Sequence, residues 1–130
     1  MSNDRKTINA EAAPAAVGPY SHAVLANGLL FCSGQIPLDA ASGEIVGNTP
    51  AEQARRCLEN LQLVCSAAGA SLEDAVRCTV YMTDLSAFAE VNEVYAEFFP
   101  TNPPARAAVG VAALPRGAQV EIDAIVSVTD

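Results

Sequence analysis

The sequence predicts an α+β fold in which two helices pack on one face of a mixed β-sheet. Two observations support this class. Apolar residues alternate with period two in some segments and recur at helical spacing in others. A run of strands followed by a helix also occurs twice along the chain. With 130 residues, 51% of them hydrophobic, the chain has the size of one domain covering residues 1–130.

The first predicted element is a β-hairpin. Residues 1–6 are polar and are expected to be frayed. Residues 24–33 then form two apolar runs around Asn27-Gly28, a pair that suits the left-handed positions of a two-residue turn. A second turn is expected at residues 39–43.

The first helix carries the clearest signals in the chain. Thr49-Pro50-Ala51-Glu52 is a capping box with proline at the first helical position. Gly69 is the expected stop. The apolar positions between them recur at helical spacing: Ala54, Cys57, Leu58, Leu61, Val64, Cys65 and Ala68.

The second half is predicted as strand, helix and two strands. Residues 76–82 are rich in branched and aromatic side chains, as is typical of a strand. A helix is expected over residues 86–99, and the prolines that follow end it. Residues 105–112 and 119–128 are the last two strands, which we expect to pair as a hairpin.

Composition excludes several classes of function. The net charge of −8 argues against nucleic acid or an anionic membrane as a partner, because both require a basic surface. The sequence shows no signal peptide and no apolar run long enough to span a bilayer, so a cytoplasmic location is expected. Its four cysteines form no Cys-x-x-Cys pair and are interpreted as buried, reduced thiols. We therefore expect neither a zinc site nor a thioredoxin-like site at these cysteines.

Two charged residues in the last strands point to chemistry. Arg106 follows Pro104-Ala105, and a guanidinium is well suited to grip a carboxylate through two parallel hydrogen bonds. Glu121 lies in an apolar strand, where a carboxylate can orient and activate water. The alternatives are an ion pair between Arg106 and a neighbouring subunit's carboxylate, and a structural hydrogen-bonding role for Glu121.

Strand geometry predicts that these two residues lie on different subunits. In a simple hairpin Glu121 sits opposite about Val111, and Arg106 is then roughly 15 Å away. This distance is too long for both to touch one small molecule, so we expect a homo-oligomer with sites between subunits. On the last strand, Glu121 and Asp123 are predicted to share the face opposite Val120 and Ile122.

The chain resembles a known family in four motifs. The motifs are Gly18-Pro19-Tyr20-Ser21, residues 31–37 with Ser33-Gly34-Gln35, residues 91–99 with Asn92, and Pro104-Ala105-Arg106 followed by Leu114-Pro115 and Val120-Glu121-Ile122. They are similar to those of the reactive intermediate deaminases, the RidA-like or YjgF-type proteins. The resemblance implies a chorismate-mutase-like homotrimer with interfacial sites.

The same resemblance implies roles for individual residues. It makes Arg106 and Glu121 catalytic, places the Ser33 hydroxyl and Asn92 beside the substrate, and lets Tyr20 close over it. A packed aromatic for Tyr20, a strand-ending turn at Ser33 and a surface amide at Asn92 are the alternatives.

Gly34 allows close approach of a substrate to the backbone. Ala108 stands where many relatives have cysteine, so only a main-chain contact to substrate is expected there. His22 has no role in the family pattern and is interpreted as incidental.

The resemblance implies hydrolysis of 2-enamine or 2-imine acids, such as 2-aminoacrylate and 2-iminobutyrate, to 2-keto acids and ammonia. Neither a metal nor a cofactor is expected, because the substrate is already activated. One alternative is a related hydrolase for a larger substrate, of the 2-aminomuconate or pyrimidine-breakdown type. Another is a non-enzymatic oligomer that binds carboxylates or protects proteins.

Overall fold

The computed structural model describes residues 5–128. It confirms the α+β class, with a mixed six-stranded sheet and two helices. The strands are β1 (Lys6–Ile8), β2 (Ala23–Ala26), β3 (Leu29–Gln35), β4 (Ala75–Met82), β5 (Ala105–Gly110) and β6 (Val120–Ser127), and the helices are α1 (Pro50–Ala67) and α2 (Phe88–Phe98).

The helices cover one face of the sheet and leave the other open. The strand order is β1-β2-β3-β6-β4-β5, and α1 packs on β3 and β6 while α2 packs on α1. Burial alternates along the central strand, so that Val120, Ile122, Ala124 and Val126 are buried against the helices. Glu121 and Asp123 lie on the opposite, open face, as the alternation predicts.

Helix α1 begins and ends where its signals predict. The Thr49 side chain accepts from the Glu52 amide, and the Glu52 carboxylate accepts from the Thr49 amide, which completes the capping box. Gly69 has φ +72 directly after the helix, and Ala70 N–H donates to the Cys65 carbonyl. The buried stripe of α1 includes Cys57 and Cys65, and all four cysteines are free and buried, as predicted.

The first hairpin is also confirmed, and it carries an irregularity. Asn27 (φ 54) and Gly28 (φ 75) form the left-handed turn between β2 and β3. Further along β3, Cys32 pairs with Ala124 and Gln35 with Ile122, so three steps on β3 match two on β6. This β-bulge falls at Ser33–Gly34 and bends the strand end where a site was predicted.

The predicted hairpin of the last two strands is wrong. β5 pairs in parallel with β4, and β6 inserts between β3 and β4, antiparallel to both. The reason is the connection through α2, because a strand, helix and strand in succession form a parallel crossover unit. β6 buries every second side chain and suits a central position, whereas β5 is largely exposed and forms an edge.

The beginning of the chain also differs from expectation. Lys6–Ile8 forms the edge strand β1 against β2, so the predicted frayed start is wrong at Lys6. Residues 1–4 of that predicted segment lie outside the described residues. Within residues 5–128, neither helix is both long and apolar enough to cross a membrane.

Candidate active site

Arg106 is held in a fixed orientation on the edge strand β5. Its guanidinium carbon lies 4.8 Å from the ring centroid of Tyr95 and 5.1 Å from that of Phe88, both on α2. Its Nη1 donates to Asn92 Oδ1 at 2.7 Å. No carboxylate in residues 5–128 lies within ion-pair distance of it. Two aromatic contacts and one amide therefore orient the group, and its other donors remain free for a ligand.

Arg106 and Asn92 line an open cavity of about 380 Å³, together with Tyr95, Phe99 and Pro104. Ala108 lies two residues further along the same face of β5. The Val111 amide donates to the Met82 carbonyl of β4, so the main-chain groups of Arg106 and Ala108 point to the unpaired edge of the sheet. We call Arg106, Asn92 and Ala108 the arginine half-site.

Glu121 lies on the central strand β6 and is half-buried on the open face. Burial raises the pKa of its carboxyl above the ordinary value, and the nearby Asp123 carboxylate raises it further. Its side chain lies over the backbone of Gly34, where an added Cβ would collide with the Glu121 carboxylate and come within 2.9 Å of its Cδ. Glycine leaves room for the carboxylate in this position, and any side chain at residue 34 would require Glu121 to move.

Ser33 and Tyr20 lie near Gly34. The Ser33 hydroxyl donates to the Ser21 carbonyl at 2.7 Å, so its proton is engaged and only its lone pairs remain for a ligand. Tyr20 is 50% exposed and lines a cavity of about 240 Å³ that also includes Gly34. We call Glu121, Gly34, Ser33 and Tyr20 the glutamate half-site.

The two half-sites do not meet within one chain. On β4, Cys78 pairs with Arg106 and Tyr81 with Glu121, so the two residues are two strands and three positions apart, about 14 Å. They also project to opposite faces, since Arg106 stacks on α2 and Glu121 faces away from the helices. The hairpin from which this distance was predicted is wrong, but the predicted separation of Arg106 and Glu121 within one chain is confirmed.

His22 has a structural function. Its Nδ1 accepts from the Ala10 amide at 2.9 Å, and its Nε2 lies 2.8 Å from the Pro14 carbonyl. An amide can only donate, so Nε2 carries the proton and donates to Pro14. The buried ring thereby fixes the segment that precedes Tyr20, so the histidine that was interpreted as incidental has a structural role.

Sequence reasoning missed the rings that hold Arg106. Phe88 and Tyr95 both lie in the helix predicted over residues 86–99, but their contact with Arg106 was not predicted. The signal that identifies them is their spacing with Asn92, because positions 88, 92 and 95 fall on one side of a helix.

Within residues 5–128, no group of three or more His, Cys, Asp or Glu residues is arranged to hold a metal ion.

Comparison with known proteins decides the family. The family model described as endoribonuclease L-PSP matches residues 10–128. The chain belongs to the endoribonuclease L-PSP family, which contains the RidA-like, YjgF-type proteins. The resemblance found in the sequence motifs is thereby confirmed.

Three relatives show how similar this chain is to known proteins. The RutC family protein y4sK of Sinorhizobium fredii is 52% identical over 122 residues, covering 94% of this chain and 97% of that protein. The Homo sapiens protein named 2-iminobutanoate/2-iminopropanoate deaminase is 44% identical over 121 residues, covering 93% and 88%. The crystal structure of E. coli TdcF with bound serine has a TM-score of 0.89 and 41% identity, covering 95% and 99%.

Proposed function

We propose that this protein hydrolyses 2-imino and 2-enamino acids, such as 2-aminoacrylate and 2-iminobutyrate, to 2-keto acids and ammonia. The observation that carries the proposal is the placement of Arg106, whose guanidinium is held by two rings and an amide and which lines an open cavity. Such a group fits the α-carboxylate common to these substrates. The mammalian relatives named as imine deaminases support the same substrate class.

The active unit is a homo-oligomer whose sites combine two chains. The half-sites lie on opposite faces about 14 Å apart, so one small substrate reaches both only across a subunit interface. The open face of the sheet supports such an interface, because two large apolar side chains on it, Phe31 and Val109, are 43% and 40% exposed and would be buried by a second chain. A trimer built from single domains of residues 1–130 is the arrangement that the family resemblance implies.

The chemistry requires orientation and proton transfer. Arg106 of one chain binds the substrate carboxylate. Glu121 of the next chain accepts a proton from a water molecule while the oxygen of that water attacks the imine carbon. The same carboxyl then returns the proton to nitrogen. The resulting amino alcohol then passes its hydroxyl proton to nitrogen by way of Glu121 as the carbon–nitrogen bond breaks, so that ammonia leaves and the carbonyl of the 2-keto acid remains. A raised pKa suits this exchange, because the carboxyl then gains and loses its proton closer to neutral pH.

Ser33 and Tyr20 complete the proposed pocket around Gly34. The lone pairs of the Ser33 hydroxyl face the bound molecule, and Tyr20 closes over it from its exposed loop. Asn92 orients Arg106, and Ala108 offers only main-chain groups at the open edge of β5. The four free, buried thiols are compatible with a reducing compartment, and we propose the cytoplasm.

Mixing two inactive variants tests both the reaction and the shared site. An amino-acid oxidase generates the imine, semicarbazide traps what persists, and active protein suppresses the trapping. Arg106→Ala and Glu121→Gln are each expected to be inactive. When they are unfolded and refolded together, about a quarter of the sites in a randomly mixed ring receive both intact residues, and activity returns to that level.

The outcomes of this experiment separate the parts of the proposal. If the oligomeric wild type does not suppress trapping, the deaminase function is wrong. If the variants are inactive and their mixture stays inactive after exchange is shown by mass spectrometry, the site does not lie between chains. An RNA substrate serves as a comparison, because the family description refers to an endoribonuclease whereas a net charge of −8 predicts no binding to a polyanion.

A further inference from the structure

The cavity at the glutamate half-site is lined by an arginine, Arg116, that the proposed reaction does not use. This cavity of about 240 Å³ is lined by Tyr20, Gly34, Leu38, Pro115 and Arg116, with further apolar residues and one amide from Gln35. Arg116 is the one charged residue among those that line it. The cavity adjoins Glu121 through Gly34, because Gly34 lines the cavity and lies under the Glu121 carboxylate.

Arg116 is held in place by its backbone and by a tether. Its φ is 61, a left-handed conformation that is uncommon for a residue with a side chain. Its Nη2 donates to the Gly43 carbonyl at 2.9 Å, which links the side chain to the turn at residues 39–43. No carboxylate in the described part of the chain forms an ion pair with it. The guanidinium is therefore positioned and has donors to spare.

The size of the cavity exceeds what the simplest substrates need. 2-Aminoacrylate and 2-iminobutyrate carry side chains of one or two carbons. A space of about 240 Å³ has room for several groups of the size of a water molecule, each about 30 Å³ in the liquid. Its walls are mostly apolar, with the cation at Arg116, which suits an aliphatic chain that ends in an anion.

On the basis of the proposed function, we propose that Arg116 is a specificity-determining residue that binds a second carboxylate at the end of the substrate side chain. The preferred substrates are then dicarboxylic 2-imino acids, in which Arg106 of the neighbouring chain holds the α-carboxylate and Arg116 holds the distal one. In a protein with a net charge of −8, a second local cation favours the binding of a second anionic group. Arg116 supplies the second.

The reaction is the same hydrolysis with a longer side chain. Water adds to the imine carbon, and the carbon–nitrogen bond then breaks. The products are ammonia and a dicarboxylic 2-keto acid. No oxidant or further reactant enters the reaction. The enzymes that supply such imines are those that oxidise acidic amino acids to the imine, so this class of reaction precedes the present one.

Arg116→Asn tests the inference with little risk to folding. Asparagine accepts left-handed backbone more readily than most residues, so the turn is retained while the charge is lost. The measurement is the ratio of kcat/KM for the imine of glutamate to that for the imine of 2-aminobutyrate, each made in place by an oxidase. We expect the wild-type ratio to exceed one and to fall at least tenfold in Arg116→Asn. Arg116→Lys should retain part of the preference.

A matched control and a binding measurement keep the test decisive. Lys6→Gln removes a positive charge from an exposed residue that does not line this cavity, and it should leave the ratio unchanged. Calorimetry with 2-oxoglutarate and 2-oxobutyrate should show that the wild type binds the dicarboxylate more tightly and that Arg116→Asn does not. If Arg116→Asn lowers both kcat/KM values equally, or changes neither, the inference is wrong while the deaminase function stands. If the wild type hydrolyses neither imine, the proposed function itself fails.

Discussion

The arginine and glutamate half-sites are built by different physical means. Arg106 lies on an exposed edge strand and is oriented by contacts with Phe88, Tyr95 and Asn92. Glu121 lies on a central strand, and its properties come from burial, from Asp123 and from the absence of a side chain at Gly34. In the proposed reaction, the binding group is fixed at the surface by its contacts, whereas partial burial raises the pKa of the group that exchanges protons.

The largest expected effect comes from removing the proton exchange at the glutamate half-site. Glu121→Gln keeps the shape of the side chain, and we expect kcat to fall by about 10²- to 10⁴-fold, the usual contribution of a general base. Binding of the keto-acid product, measured by calorimetry, should change little. Glu90→Gln on the exposed surface of α2 is the control. Weak product binding with normal kcat would reverse the roles assigned to the two half-sites.

A smaller but still large loss is expected when the space under Glu121 is filled. Gly34→Ala introduces a Cβ where the carboxylate now lies, so Glu121 must move. We expect kcat/KM to fall by about 100-fold, since misplacing a reacting group by about 1 Å costs this much.

The double variant Gly34→Ala, Glu121→Gln identifies the cause. If the glycine acts by making room for the carboxylate, the double variant should be no worse than Glu121→Gln alone. Additive losses would show that Gly34 contributes independently of Glu121.

A moderate effect is expected at the arginine half-site. Tyr95→Leu removes one ring from the stack on Arg106, and a cation–π contact contributes about 0.5–2 kcal/mol. We expect KM to rise by roughly 2- to 30-fold with kcat much less affected. Phe98→Leu is the matched control, because Phe98 packs against the core from the same helix but does not stack on Arg106. Equal changes in both variants would indicate general loosening of α2.

The smallest expected effect concerns stability. Because the folded-state pKa of Glu121 is raised above 4.5, the folded protein holds a proton that the unfolded chain releases first. The contribution of Glu121 to stability therefore falls as pH rises through this window and stays low above it. Glu121→Gln should have a higher unfolding midpoint than wild type near pH 7, with the difference vanishing below about pH 4. A difference independent of pH would refute the titration of Glu121 as its cause.

The sequence predicted what depends on local rules. The capping box at Thr49, the Asn27-Gly28 turn and the alternation along residues 120–128 each involve neighbours in the chain, and all three are confirmed. The pairing of the last strands was wrong, because the position of β6 between β3 and β4 depends on contacts far apart in sequence.

The same distinction applies to the candidate site. Arg106 and Glu121 were identified by residue type and motif, and their separation within one chain was expected. The rings around Arg106 and the contact between Glu121 and Gly34 were not, because they depend on which side of α2 meets β5 and on the bulge in β3. Such placements require the tertiary structure.

The β-bulge at Ser33–Gly34 determines which face of the sheet the last residue of β3 occupies. An even strand would turn Cys32 and Gln35 to opposite sides, but the extra residue lets both face the helices, opposite Ala124 and Ile122. Deleting one residue here would leave Gln35 facing the helices, two positions after Cys32, but it would remove the bulge and leave a single residue where Ser33 and Gly34 now both lie. Natural variation in length is therefore expected in the surrounding loops and not between Cys32 and Gln35.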